Sequence, residues 1–376
     1  MTDRTTEAWA YLSRVVEPPC PALTALVARV GPVEAAERVR QGSAGEEVNL
    51  HAEARRDIDC AADDLAVLAR RGGRLVTSDD DEWPLLSFAA FGGGAPARLR
   101  SQAHAPMVLW AIGPATLDEV AFRSAAVVGT RAATMYGEFV AGDIATGLAE
   151  RDVAVVSGGA FGIDGAAHRA TLAVEGVTVA VLAGGVDVPY PAGHSALLQR
   201  IAEHGLLLSE YPPGVRPARH RFLTRNRLVA ALAGATVVVE AGARSGAANT
   251  AAWARTLGRP VCAVPGPVTS SASVGCHSLL RSGAAQIVTR AADVVELVGR
   301  VGELAPEEQH PTSPLDELGD IEKRVYDALP RRGGRTAEEV AVASGLPARQ
   351  VLGPLVNLEL SGLVVGRDGR WKLAAG

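Results

Sequence analysis

The sequence predicts an α/β protein built on a doubly wound, mostly parallel sheet, and three observations predict it. Between about 106 and 299, short apolar runs rich in Val and Ala recur at regular intervals. Helical segments such as Tyr136 to Glu150 and Asp164 to Glu175 lie between most of them. The runs are continuously apolar, as strands covered on both faces must be. They are "AAVVGT" (125–130), "VAVVSG" (153–158), "VTVAVLAGG" (177–185), "LLLSEY" (206–211), "ATVVVEAG" (235–242), "PVCAVPG" (260–266) and "AAQIVT" (284–289). A Rossmann-like domain over 106–299 follows from that pattern.

The flanks differ. Residues 1–75 predict a small helical domain of helix-hairpin-helix (SAM-like) type: "PALTALVARV" and "VEAAERVR" are two short helices around Gly31-Pro32. A third helix is expected over roughly 51–71, ending at Gly72-Gly73. Such a pair of helices can touch a nucleic-acid backbone, although a plain packing role is the favoured reading. Residues 76–105 form an irregular connector, with "DDDEWP" and a glycine run. Residues 300–319, acidic and proline-bearing, are a linker. Over 320–376, three helices precede a hairpin around Asp368-Gly369, which is a winged-helix pattern. Its last helix has only Arg349 and Glu359 as charges, a poor grip for duplex phosphates, so protein contact or scaffolding is as good a reading as DNA reading.

Bulk composition narrows the function classes. With 48% apolar and 21% charged residues over 376 positions, the chain can bury a large core. The start has no apolar run for a signal peptide, and no apolar stretch is long enough to span a bilayer; a cytoplasmic protein without membrane contact is expected. Cys20, Cys60, Cys262 and Cys276 are far apart and have no metal-ligand spacing, so no metal is expected. Only Lys323 and Lys372 are lysines, so the abundance of arginine reflects codon bias, and only its placement is informative.

Placement singles out "RPARHRFLTRNR" (216–227), with five arginines, one histidine and no acid inside a chain of net charge -5. It follows the "LLLSEYPPG" strand, which puts it at the carboxyl edge of the sheet, where open α/β sheets bind ligands. Arg216, Arg219 and Arg221 are expected in a loop, with Arg225 and Arg227 opening the next helix. Glycine-rich turns share that edge: "GTR" (129–131), "SGGAFGID" (157–164), "AGG" (183–185), "EAGARSG" (240–246) and "PGPVTSS" (265–271). Their backbone N–H groups, those of Gly129, Thr130, Gly158 and Gly159 among them, form an expected anion-binding ledge. No G-x-G-x-x-G spacing and no Walker loop is present, so neither a dinucleotide cofactor nor ATP is expected. Arginines interleaved with Phe222 suit single-stranded nucleic acid, whose backbone follows charge and whose bases stack. A catalytic reading would rest on Asp164 or Glu240, with Asp164 and His168 a turn apart; a Rossmann-like nucleotide phosphoribohydrolase is that rival.

Eight ordered motifs then resemble the DNA-processing protein A family, also called Smf or DNA-protecting protein. They are "VVGTRAATMYG", "VVSGGAFGIDGAAHRATL", "TVAVLAGGVDVPYP", "GLLLSEYPPG", "RFLTRNRLVAAL", "VVVEAGARSGAANTAAWA", "GRPVCAVPGPV" and "SVGCHSLLRSGAAQIV". The resemblance covers about 120–290 and implies a non-enzymatic single-stranded DNA-binding protein of natural transformation. It further implies protection of incoming strands, loading of the RecA recombinase and a homodimer formed through the Rossmann-like domain. The site it implies comprises Arg131, Arg219, the stacking Phe222, then Arg225, Asn226 and Arg227. A further loop supplies Ser245, Gly246, Asn249 and Thr250. Gly159 and Phe161 stand where the family usually has leucine and arginine, which puts one phosphate contact in question.

Overall fold

The computed structural model describes residues 3–96, 99–243, 245–300, 302–304 and 315–374. It divides into two compact units, Met1–Pro306 and Glu307–Gly376.

The first unit opens with five helices: α1 (Arg4–Val15), α2 (Pro21–Val30), α3 (Pro32–Gln41), α4 (Glu46–Ala52) and α5 (Ala61–Arg70). Proline at the first position of α2 and α3 lacks an N–H that a helix start leaves unbonded anyway, and Gly31 between them takes φ 80°. The helix expected over 51–71 is therefore two elements, α4 and α5, broken by the turn at 53–60. The apolar faces of these helices, including Leu12, Leu23 and Val39, share one core with Trp110, Ala180 and Leu198 of the sheet layer.

Next come β1 (Gly73–Thr77), α6 (Leu85–Ala89), β2 (Val108–Ile112), α7 (Leu117–Phe122), β3 (Ser124–Val128), α8 (Met135–Ala149), β4 (Ala154–Ser157) and α9 (Ile163–Ala173). The chain continues through β5 (Thr178–Leu182), α10 (Ser195–His204), β6 (Leu206–Ser209), α11 (Arg219–Leu232), β7 (Ala235–Val238) and α12 (Gly246–Thr256). It ends with β8 (Val261–Ala263), α13 (Val274–Arg281), β9 (Gln286–Ile287) and α14 (Ala291–Val298). Among the described residues the sheet has nine strands in the order β1-β2-β6-β5-β4-β3-β7-β8-β9. All neighbours from β6 to β9 are parallel, whereas β2 pairs antiparallel with both β6 and β1. The connector expected to be irregular thus begins inside an edge strand, β1, and holds a short helix, α6.

Strand alternation sorts the core into two layers. Ala125 and Val127 of β3 face Ile144, Ile163 and Val294 of α8, α9 and α14. Ala126 and Val128 face Leu228, Leu232 and Trp253 of α11 and α12. The chain winds outward from β3 to β6, then returns to place β7 on the other side of β3. That reversal opens a crevice at the carboxyl ends of β3 and β7, the position where doubly wound sheets bind ligands.

The basic stretch differs from expectation in its backbone. The helix starts at Arg219 rather than at Arg225, directly after the extended N-cap residue Ala218 (φ -138°, ψ 157°).

The second unit holds α15 (Asp320–Asp327), α16 (Ala337–Ser344), α17 (Ala348–Leu360) and the hairpin of β10 (Val364–Arg367) with β11 (Arg370–Leu373). Thr336 caps α16 by accepting from Glu339 N, while Glu339 reaches back to the amide of Thr336. Asp368 and Gly369, at φ 51° and 72°, form the tight turn of the wing. Val325, Val340, Val351, Leu355 and Leu358 close its core. The outer face of α17 shows Leu352, Val356 and Leu360, one helical turn apart and exposed, so this face is apolar rather than basic.

Candidate functional site

A pocket of about 390 Å³ opens at the β3/β7 crevice. Of the residues singled out above, it brings together Gly129, Thr130, Arg131, Gly158, Phe222, Arg225, Asn226, Ser245, Gly246 and Thr250. Gly159, Arg219, Arg227 and Asn249 are not among its walls.

Close backbone packing builds the floor. A Cβ on Gly129 would stand 2.4 Å from Ile163 Cγ1, and one on Gly158 would stand 2.4 Å from the Arg225 guanidinium. Only glycine lets these two turns approach α9 and α11 so closely. Three helix N-termini converge beside them, those of α8, α9 and α12. Thr134 caps α8 by accepting from Gly137 N (3.2 Å), and Ser245 caps α12 by accepting from Ala247 N (3.0 Å).

Several amides expected to hold an anion are already engaged by the protein's own acids. Asp164 Oδ2 accepts from Gly158 N (3.2 Å) and Ala160 N (3.3 Å). Thr130 N donates to the carbonyl of Glu240 (2.8 Å), and the Glu240 carboxylate accepts from Thr134 N (2.9 Å) and Thr134 Oγ1 (2.6 Å). Gly159, at φ 70°, turns its carbonyl to His194 Nδ1 (3.1 Å), away from the pocket. The loops therefore shape the site, and its free charge comes from arginine.

The arginines divide sharply. Arg131 is exposed, and its guanidinium carbon lies 5.0 Å from the Phe222 ring centroid, a cation–π distance. Arg219, the first residue of α11, is exposed and has no ion pair among the described residues. Arg225 is buried: its Nη1 donates to Gly158 O (2.7 Å) and to Val181 O, and its Nε to Asn226 Oδ1 (3.2 Å). Burial, with Arg131 adding repulsion and Asp164 opposing both, lowers its pKa to about 10. Burial in turn pushes the Asp164 carboxyl up, against the pull of Arg225 and the loop amides. These two groups are the electrostatic keystone of the floor.

Arg227, expected among the contacts, is corrected by its position. Two residues along a helix is a rotation of about 200°, so Arg227 points away from the Arg225 side. It is fully buried, with Nη2 donating to Glu210 Oε1 at 2.6 Å, and a ligand cannot reach it. Arg221 is likewise committed: its Nε and Nη2 donate to the Glu17 carboxylate at 2.7 and 3.0 Å. Asn226 Nδ2 donates to Asn249 Oδ1 (3.1 Å), so Asn249 ties α11 to α12 behind the pocket wall.

The residues of the catalytic reading are also spoken for. His168 is buried with its pKa lowered to about 3, chiefly by burial, and its Nδ1 meets Thr178 Oγ1 at 2.7 Å rather than Asp164. Among the described residues no cluster of three His, Cys, Asp or Glu could hold a metal ion.

Local sequence reading missed three participants. Tyr190 packs on Phe222 with centroids 5.5 Å apart, and Leu223 stands exposed on the pocket wall. Glu17, which restrains Arg221 and His220 from α1's side of the unit, is some 200 residues distant in sequence and left no local signal. The "VPYP" turn was the one available hint to Tyr190.

Comparison with known proteins places the fold within a family. The chain matches the model of the DNA recombination-mediator protein A family over residues 74–299 and that of the DprA winged helix domain over residues 309–370. It is 70% identical over 373 residues to a putative DNA processing protein DprA of Mycobacterium tuberculosis, covering 99% of this chain and 95% of that one. The X-ray structure of DNA processing protein A from Streptococcus pneumoniae superposes with a TM-score of 0.63 at 30% identity, covering 80% of this chain and 99% of that one. A Helicobacter pylori DNA processing protein A, whose structure was described for its single-stranded DNA binding mode, gives a TM-score of 0.50 at 27% identity, covering 60% and 94%.

Proposed function

This chain belongs to the DNA recombination-mediator protein A family, and from that premise we propose that it binds single-stranded DNA across the β3/β7 crevice. The observation that supports the reading is the exposed Arg131 guanidinium set 5.0 Å over the Phe222 ring at the mouth of a built pocket. A charged fork beside an aromatic face serves an unpaired strand, whose phosphates and bases are separately accessible. Arg131 and Arg219 take phosphates; Phe222 takes a base; Ser245, Gly246 and Thr250 line the opposite wall. Arg225, Asn226 and Asn249 position these groups without touching the strand.

In this reading the protein acts in the cytoplasm in transformation and recombination. It protects strands and hands them to the RecA recombinase, as a homodimer formed through the sheet-bearing unit. The helical segment 1–75 and the winged helix 320–376 serve as accessory modules. Among the described residues no helix is long and apolar enough to cross a membrane. A binding role is favoured over hydrolysis because the Asp164 and Glu240 carboxylates are occupied by loop amides and by Thr134.

Fluorescence anisotropy with single strand, duplex and free nucleotide across a salt series tests it. Single strand should bind best, with a log–log salt slope of roughly −0.7 per phosphate neutralised. The doubly substituted Arg131→Ala/Arg219→Ala protein should lose about 1.4 units of that slope. Equal affinity for duplex, or an unaffected double variant, would overturn the reading.

A further inference from the structure

We infer that Phe161 and Tyr190 form a second stacking surface, which extends the strand path beyond Phe222 and holds one or two further bases. This deepens the proposed strand-binding reading and rests on it. The chain has only six phenylalanines and five tyrosines, yet Tyr190 packs on the pocket-wall ring Phe222, and Phe161 directly follows Ala160, another pocket-wall residue. Phe161 is 46% exposed and Tyr190 is 45% exposed, high values for rings that a core could have absorbed.

Both rings are held in place. Phe161 meets the His194 ring edge-on at 4.6 Å, and its tip lies against Gly193, where a Cβ would come within 3.0 Å. His194 is itself buried and fixed by its bond to Gly159 O. Tyr190, three residues before Gly193, packs on Phe222. The circuit closes on the other side, because Gly162, next to Phe161, packs against the carbonyls of Thr130 and Arg131. Arg131, which lies over Phe222, thus has the backbone of the Phe161 loop packed against its own carbonyl.

Rigid, half-exposed rings adjoining the crevice suit successive bases of one strand, since every base has a face to stack. Phe161 adds no charge, so its share of binding should be insensitive to salt.

The test uses the full chain and thymidine strands carrying a single 2-aminopurine at successive positions. Phe161→Leu and Tyr190→Leu keep apolar bulk while removing the ring; Phe161→Trp and Tyr190→Phe restore one. Each Leu variant should bind about five- to tenfold more weakly, with the salt slope unchanged. Each should also lose 2-aminopurine quenching at a position different from the one lost in Phe222→Ala, and the aromatic variants should recover it. If both Leu variants match the parent protein while Phe222→Ala is impaired, the second surface is refuted and the crevice reading stands. If Phe222→Ala is unimpaired too, the crevice reading itself falls.

Discussion

The first turn of α11 and the rest of that helix carry the same residue type to opposite ends. Arg219 stands in solvent at the helix start, while eight residues later Arg227 is sealed against Glu210 and lies 5.6 Å from the Phe91 ring. Between them Arg221 is clamped by Glu17 and Arg225 is spent on backbone carbonyls. The difference is one of burial and partner. The four arginines of α11 are not a single positive patch but one free cation, one restrained cation and two structural ones.

The sharpest way to break that division is at Arg227. Arg227→Ala leaves Glu210 as an unpaired buried charge, a loss of about 3–5 kcal/mol. The midpoint of urea unfolding should drop accordingly, whereas Arg219→Ala should leave it nearly unchanged. Replacing both partners, Arg227→Met with Glu210→Leu, should recover most of the loss, because an apolar pair of similar size needs no desolvation. An Arg227→Ala protein that is as stable as its parent but binds strand poorly would place Arg227 among the contacts after all.

Phe222 gives the next largest effect. Phe222→Ala should weaken single-strand binding by about 1–3 kcal/mol without changing the salt slope, in contrast to Arg131→Ala. Isothermal titration at several salt concentrations separates the two. A slope that changes with Phe222 would mean that the ring's role is to hold Arg131 rather than to stack a base.

The same division explains what was legible in the sequence. Continuously apolar strands announced the sheet, and the place of the basic stretch at its carboxyl edge announced the crevice. The edge strand β1 escaped notice because "GRLVT" has only two apolar residues, and its strand character comes from pairing with β2. The fates of Arg221, Arg225 and Arg227 escaped for a different reason. Each is decided by a partner distant in sequence: Glu17, the carbonyls of Gly158 and Val181, and Glu210. The loop amides were legible as a ledge, but Asp164, which occupies those of Gly158 and Ala160, and Glu240, which occupies that of Thr134, looked like candidate catalysts.

Glu17 offers the smallest and most selective probe of the comparison, because it is the acid that neutralises Arg221, which the Arg216 carbonyl and the Tyr211 ring also hold. Its carboxylate meets Arg221 at 2.7 and 3.0 Å, Arg55 at 3.1 Å and His220 at 3.4 Å. Burial works against the charged form, but these hydrogen bonds and cations outweigh it and hold the carboxyl below its ordinary 4.5. The sign follows: the clamp's stabilisation is complete above that ordinary value and fades as pH falls through the lower, folded-state one. Glu17→Gln should leave the Arg221 charge unpaired at neutral pH and release His220. Strand affinity should rise about twofold, mostly through faster association, as expected for an exposed rim charge, and the salt slope should steepen. Stopped-flow association at two ionic strengths reads both. The stability gap between parent and variant should be constant from neutral pH down to about 4.5 and then close. If Glu17→Gln weakens binding instead, Arg221 helps the strand only while it is held, and the restrained cation belongs with the structural ones.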